Sequence, residues 1–278
     1  MIKKVLRQSA IIPRSLVLLE ALATMEGRIM VNETTISKLY EMRLTAMADS
    51  YREQLKDNAF SDLSFEERFG LVVDLEWSRR KNNKLTKLIK KADFRFSNAC
   101  VEDIEYHADR KLDKTLITRL STCNYIQEKH NVIVMGASGN GKSYIGCALG
   151  VTACRNYFTV KYVRLPDLLD ELAIARGEGI FKKIMKQYKS VSLLVLDEWL
   201  LVPLKGTEAR DLLEIIEARH QNGSTIFCSQ FAPGGWHEKI GEDTLADAIL
   251  DRIVHDSYTI HIDGKTSMRE RKGLQDKN

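Results

Sequence analysis

The stretch GASGNGKS, residues 136–143, stands between an apolar run with strand character, residues 132–135, and a run with helical character, residues 142–155. It follows the pattern G-x-x-x-x-G-K-S, in which glycines bring backbone N–H groups close to an anion and the helix N-terminus adds a favourable dipole. The strand–loop–helix setting is the one that this pattern needs, and we therefore predict a nucleotide phosphate site. Its predicted residues are Gly136, Ala137, Ser138, Gly139, Asn140, Gly141, Lys142, Ser143 and the adjoining Tyr144.

Two side chains of this loop have predicted roles in the chemistry. Lys142 neutralises phosphate charge, and Ser143 ligates the Mg²⁺ ion that accompanies a nucleotide. Loops of this kind occur in kinases, switches, motors and DNA-handling machines, so the loop alone leaves the reaction open.

The run LLVLDE, residues 193–198, is an apolar strand that ends in two carboxylates. In a parallel sheet covered by helices, ligands bind at the carboxyl ends of the strands. We therefore predict that Asp197 is linked to the metal and that Glu198 orients and deprotonates a water molecule. This pair favours a hydrolase over a kinase. A GTPase is disfavoured because no N-K-x-D motif follows a later strand.

A third polar strand end occurs in STIFCSQF, residues 224–231. A polar side chain at the tip of a strand beside the phosphate loop can touch the γ-phosphate or the attacking water, which makes Ser229 and Gln230 candidates. A strand-end hydrogen bond to a loop explains these residues equally well.

Five strand-like runs alternate with helical stretches in the second part of the chain, at residues 132–135, 159–164, 192–197, 225–229 and 258–262. This alternation predicts a parallel sheet with helices on both faces. The polar stretch that precedes it places a domain boundary within residues 95–115.

The first part of the chain has helical periodicity instead. The apolar stripe of residues 35–57 predicts one amphipathic helix. Ser64, with Glu67 three residues later, predicts a capping box at the start of the next helix.

The segment RRKNNKLTKLIKK, residues 79–91, has seven basic residues and no acidic one. At helical spacing, Arg80, Lys84, Lys87 and Lys91 fall along one face. A surface that binds DNA phosphates and a merely solvated helix face are equally good interpretations of this pattern.

Composition limits the class of protein. A net charge of +4 over 278 residues is only mildly basic, so a nucleic-acid surface has to be a local patch. Five cysteines without a C-x-x-C pair indicate reduced thiols in the cytoplasm. No run approaches the ~20 apolar residues of a membrane span, and residues 1–29 are interpreted as a poorly packed leader.

Several longer motifs together carry a family resemblance. They are GASGNGKS, LLVLDEWLLVPL, STIFCSQF followed by Trp236, LADAILDRIVH and IDGKTSMR. Over roughly residues 35–272 the chain resembles IstB, the helper ATPase of insertion-sequence transposition, which is similar in turn to DnaC-type helicase loaders within the AAA+ ATPases.

The resemblance implies an α/β fold, an AAA+ P-loop parallel sheet preceded by a small helical N-terminal domain. The predicted layout is a leader at 1–29, which the resemblance does not cover, then a helical DNA- or partner-binding domain at 30–105, an AAA+ domain at 106–272 and a tail at 273–278.

The resemblance also implies residue roles. Gln230 would be the sensor, with Ser229 as second choice, although loaders usually carry asparagine at this position. Arg252 would be an arginine finger that reaches a neighbouring subunit, unless it only pairs with Asp251 or Asp256. Arg269 would act on phosphate as a second sensor.

The function implied by the resemblance is ATP-dependent assembly of a homo-oligomer on duplex DNA, with Mg²⁺ as cofactor and an IstA-like transposase as partner. A helicase loader would share every ATPase residue and differ in its partner. A DNA-binding adaptor that uses ATP as a structural switch is a third interpretation, which the intact Glu198 disfavours.

Overall fold

A computed structural model describes residues 30–264 and 266–273 of the chain. The predicted leader, and the predicted tail apart from residue 273, lie outside these residues. Packing divides the chain into two compact units that meet between Asn83 and Lys84, earlier in the chain than the predicted boundary at 105/106. The second unit starts earlier because residues 85–104 contribute Leu88, Phe94 and Ile104 to the apolar cluster that covers its sheet.

The first unit contains a helix over residues 30–41 (α1), α2 (Thr45–Lys56) and most of α3 (Phe65–Ala92). The predicted single helix over residues 35–57 is wrong, because the chain turns between α1 and α2, with Arg43 at φ +58°. The buried Glu76 carboxylate of α3 accepts from Ala46 N at 2.9 Å and so caps the start of α2. A contact from a distant residue therefore fixes this turn, which the local apolar period does not show.

The start of α3 has the predicted capping box. Ser64 N donates to Glu67 Oε2 at 2.8 Å, and Glu67 N donates to Ser64 Oγ at 3.2 Å. These bonds lower the pKa of Glu67 and satisfy N–H groups that the helix itself leaves free.

The second unit alternates helices and strands. Its helices are α4 (Lys114–Ser121), α5 (Asn124–Gln127), α6 (Lys142–Arg155), α7 (Leu165–Gly177), α8 (Phe181–Ser190), α9 (Gly206–Arg219), α10 (Trp236–Ile240), α11 (Asp243–Val254) and α12 (Met268–Lys272). Its strands are β1 (Asn131–Gly136), β2 (Val160–Arg164), β3 (Leu193–Asp197), β4 (Ser224–Ser229) and β5 (Ser257–Ile262).

The five strands form one parallel sheet in the order β2-β3-β4-β1-β5. Alternate residues of the central strand β1 enter two different apolar clusters: Val132 and Val134 pack with α6, while Ile133 packs with α9 and α11. Helices therefore cover both faces, and the predicted α/β class is confirmed.

Parallel strands bring their carboxyl ends to one edge of the sheet. The ends of β1, β3 and β4 are Gly136, Asp197 and Ser229, so the predicted site residues meet at this edge. Within the described ranges, no helix has the length and apolar character needed to cross a bilayer.

Candidate functional site

A cavity of about 350 Å³ opens at this edge of the sheet. Ten of the predicted site residues line it: Ser138, Gly139, Gly141, Lys142, Ser143, Tyr144, Asp197, Glu198, Gln230 and Arg269. Gly136, Ala137 and Asn140 line a neighbouring cavity that shares Gln230.

The phosphate loop has the backbone that its glycines allow. Gly139 and Gly141 have φ of +83° and +87°, a region that disfavours residues with a Cβ atom. Gly141 is also the residue that precedes the first turn of α6, whose N–H groups have no partner within the helix, and Lys142 and Ser143 of that turn line the cavity.

Lys142 is the main cation of the loop. It is only 8% exposed, and its Nζ donates to Ala137 O at 2.8 Å. Burial lowers its pKa, with a further contribution from the Arg269 charge, while Cys228 and Asp197 raise it. An anion bound at this site would therefore offset the free-energy cost of burying the Lys142 ammonium.

Asp197 is fixed by two hydrogen bonds at the end of β3. Its Oδ2 accepts from Tyr162 OH at 2.7 Å and its Oδ1 accepts from Glu198 N at 2.9 Å. Burial, followed by the Asp197 charge, raises the pKa of Tyr162, so this hydroxyl keeps its proton and remains a donor.

Glu198 is held by a partner that the sequence did not indicate. Its Oε2 accepts from Arg164 Nη2 at 2.7 Å, and Arg164 lies opposite Asp197 in the register of β2 and β3. Glu198 has φ +55°, and the next residue, Trp199, is fully buried between Phe227 and Trp236. The buried indole anchors the strained turn that presents the carboxylate.

The structure separates the two candidates at the end of β4. Ser229 is fully buried, and its Oγ bonds Trp199 O at 3.0 Å, Phe231 N at 3.1 Å and Trp236 Nε1 at 3.1 Å. Its hydroxyl is therefore used inside the fold, whereas Gln230 faces the cavity.

Several lining residues were not predicted. Phe96 and Ile104 give the cavity an apolar wall, and the Phe96 ring lies 5.9 Å from that of Tyr144. The Arg95 guanidinium lies 5.5 Å from the Phe96 ring centre. These residues precede β1 in the polar stretch, where no motif marks them.

Arg110 is another unpredicted residue of the site. It is 3% exposed, donates to Glu105 O, and donates through Nη2 to Asn140 O at 2.8 Å. Burial lowers its pKa. A buried arginine is thus hydrogen-bonded to the phosphate loop through Asn140.

Arg252 does not line this cavity. Its Nη1 donates to Ala248 O at 2.7 Å, and its Nη2 pairs with Glu217 of α9 at 3.0 Å. Its partner within the chain is therefore Glu217, rather than the predicted Asp251 or Asp256. The role toward a neighbouring subunit stays a prediction.

The four predicted DNA-binding residues differ in their surroundings. In the first unit, Arg80 is paired with Glu76 at 2.8 Å. In the second unit, Lys84 Nζ lies 5.0 Å from the Tyr157 ring centre. Lys87 and Lys91 are exposed, and neither forms an ion pair within the described residues.

A parallel sheet in this strand order, with a phosphate loop between β1 and α6 and an acidic end on β3, defines a P-loop nucleotide-binding protein of AAA+ type. A family model described as IstB-like ATP binding protein matches residues 37–276. The chain belongs to this family, and the resemblance inferred from its motifs is confirmed.

Individual relatives agree with this assignment. The chain is 40% identical over 243 residues to a Sinorhizobium fredii protein described as insertion sequence ATP-binding protein y4pL, covering 87% of this chain and 99% of the relative. It is 39% identical over 201 residues to the ATP-binding protein of insertion sequence IS1162 from Pseudomonas fluorescens, covering 72% and 87%. The solved structure of DnaI matches with a TM-score of 0.50 at 21% identity over 60% of this chain and 89% of DnaI, which shows the fold alone.

Proposed function

We propose that this protein is an ATPase that helps insertion-sequence transposition: it assembles as a homo-oligomer on target duplex DNA and recruits or activates a transposase. The observation that carries the proposal is the meeting of the phosphate loop, two carboxylates, Gln230 and Arg269 in one cavity. Relatives described as insertion sequence ATP-binding proteins supply the context.

The cavity has two sides that suit the two ends of ATP. Lys142 and Arg269 supply cations for the phosphates, and the first turn of α6 supplies backbone N–H groups. Phe96, Ile104 and Tyr144 supply apolar and aromatic surface, on which the adenine base would lie.

Ser143 and Asp197 are the residues that would hold Mg²⁺. Both line the cavity, and a hydroxyl with a carboxylate is the oxygen donor set that this ion prefers. Tyr162 and the Glu198 N–H group fix the Asp197 carboxylate beforehand. When bound, the ion offsets the negative charge of the phosphates.

Hydrolysis would use Glu198 as the group that accepts the proton of the attacking water. Arg164 holds only one of its carboxylate oxygens, Oε2. Gln230 is placed at the neighbouring strand end, where its amide can orient the water or contact the terminal phosphate.

The proposal is tested with the purified full-length chain and the transposase encoded in the same insertion sequence. We expect ATP hydrolysis that duplex DNA stimulates, and strand transfer that requires both this protein and ATP. ATP hydrolysis without any effect on strand transfer would favour the helicase-loader alternative, and absence of ATP binding would contradict the proposal entirely.

A further inference from the structure

The segment that follows β5 is packed directly on the phosphate loop. Met268 N donates to Gly139 O at 2.9 Å, and Asn140 Nδ2 donates to Ile262 O at 3.2 Å. A Cβ atom built on Gly139 would lie 2.6 Å from Ser267 Cβ, closer than such atoms approach in proteins. The loop and this segment therefore touch without space between them.

A short turn ahead of α4, Ala108–Arg110, fastens this segment from the other side. The Arg271 guanidinium of α12 forms an ion pair with Asp109, and Asp263 N donates to Arg110 O at 3.0 Å. Lys111 adds a second ion pair, 3.1 Å from Asp263 Oδ2.

The same turn also holds the phosphate loop, through the buried Arg110. Its Nη2 donates to Asn140 O at 2.8 Å, two residues before Lys142. The turn thus connects the loop with the segment that carries α12, although residues 110 and 271 are far apart in sequence.

Arg269 is the residue that this arrangement brings to the cavity. It lies on α12 two residues before Arg271, it lines the cavity, and it makes no hydrogen bond or ion pair within the described part of the chain. Burial is the main cause of the lowered pKa of Lys142, and the Arg269 charge contributes in the same direction. Two cations that repel each other at one wall favour an anion between them.

We infer that Asp109 and Arg271 are positioning residues: their ion pair seats α12 on the phosphate loop so that Arg269 contacts the phosphates of bound ATP. The inference rests on the proposed function, because it requires ATP in the cavity. It explains how a five-residue helix presents a phosphate-binding arginine with the support of a turn from the opposite end of the unit.

The test measures the dissociation constant of a fluorescent ATP analogue with the full-length chain, together with KM and kcat for ATP. Arg269→Ala should weaken binding about 10- to 100-fold, the effect of one lost hydrogen bond between charged groups. Arg271→Ala should weaken it about two- to fivefold, because a partly exposed ion pair contributes modestly. Both changes should raise KM more than they lower kcat.

Two double variants distinguish positioning from a general structural effect. Adding Arg271→Ala to Arg269→Ala should cause no further loss of affinity, since Arg271 acts through Arg269. The exchanged pair, Asp109→Arg with Arg271→Asp, should restore affinity to within about twofold of the original, although each change alone weakens it.

Arg176→Ala is the matched control, because Arg176 forms a partly exposed ion pair with Asp211, 2.6 Å away and outside the cavity. It should leave ATP affinity unchanged. Additive losses in the first double variant, or no recovery in the exchanged pair with circular dichroism of a folded protein, would overturn the inference while the proposed function stands. If the original chain binds no ATP, the proposed function fails and the inference fails with it.

Discussion

The phosphate loop and the basic end of α3 both present lysines suited to phosphate, but the fold holds them in opposite ways. Lys142 is buried and lines one cavity together with Asp197, Cys228 and Arg269, whereas Lys87 and Lys91 are exposed on a helix surface. The effect of a buried cation depends on the groups that it contacts, so its removal leaves a bound phosphate without its partner. Exposed cations act through their number and are screened by salt.

Arg252 belongs to neither group, because it is predicted to act on a cavity that it does not line. Arg252→Ala should reduce hydrolysis by roughly 10³–10⁵, the range for arginine fingers, while the chain still binds ATP. Mixing it with Glu198→Gln should restore activity, since a subunit with an intact Glu198 then receives an arginine from its neighbour. The ATPase rate of mixtures that co-assemble on DNA is the measurement.

Glu217→Ala is the control for that variant, because it removes the partner of Arg252 and keeps the arginine. If Arg252 only stabilises α11 against α9, both variants should lose activity equally. An equal loss of ATPase activity in both variants, or no recovery in the mixture, would contradict the role of Arg252 as an arginine finger.

The second prediction concerns the carboxylate in the cavity. Glu198→Gln should keep ATP binding and reduce hydrolysis by roughly 10²–10⁴, because an amide cannot accept the proton of water. Glu105→Gln changes another carboxylate that lines the cavity and should have little effect. Single-turnover hydrolysis compares the two, and a Glu198→Gln protein with near-normal turnover would show that another group is the base.

The third prediction concerns the buried lysine, Lys142. Lys142→Ala should weaken ATP binding by roughly 100-fold or more, because the bound phosphates would then lose the buried cation with which they pair. Lys189→Ala, which removes a lysine paired with Glu214 at 2.5 Å, is the control. Titration with labelled ATP measures both, and equal affinities would mean that the phosphates bind elsewhere.

The fourth prediction concerns the lysines at the basic end of α3. Neutralising Lys84, Lys87 and Lys91 together should flatten the slope of log affinity for duplex DNA against log salt by about 0.9 for each lost phosphate contact. A triple change of three exposed lysines on α8 is the matched control, since it alters the net charge equally; these are Lys182, Lys183 and Lys186. An unchanged slope would identify the basic end of α3 as a solvated surface, and equal slopes in both variants would indicate net charge alone.

The smallest expected effect distinguishes Arg80 from the three lysines of the basic segment. Arg80 is paired with Glu76 and donates to Arg43 O at 3.2 Å, so its guanidinium is already used inside the first unit. Arg80→Ala should therefore change the salt slope less than Lys91→Ala does, while it lowers the thermal midpoint more. A larger slope change for Arg80 would show that it leaves Glu76 to bind DNA.

The sequence predicts the sheet well because local chemistry specifies it. Most strands are compact apolar runs, and two of them end at or next to a polar residue of the cavity: β3 ends at Asp197, and Gln230 follows the end of β4. The glycines of the phosphate loop and the capping box of Ser64 are equally local signals.

The contacts that the sequence does not predict depend on which helices and strands lie next to each other in the fold. Arg164 reaches Glu198 only because β2 lies beside β3, and Asp109 reaches Arg271 only because α12 returns to the turn before α4. No spacing along the chain shows such pairs. A polar residue at the end of a strand adjacent to the acidic strand is the signal that could have indicated Arg164 once the strand order was known.

The buried aromatic cluster next to Glu198 gives the protein an optical reporter of movement at its candidate nucleotide site. Trp199 follows Glu198 directly, and Trp236 Nε1 bonds Ser229 and Phe231, the residues on either side of Gln230. Both indoles lie away from water, whereas Trp77 of the first unit is 60% exposed. A water-soluble quencher should therefore reduce the emission of Trp77 first, and the protected emission that remains should change wavelength or intensity when Glu198 or Gln230 moves.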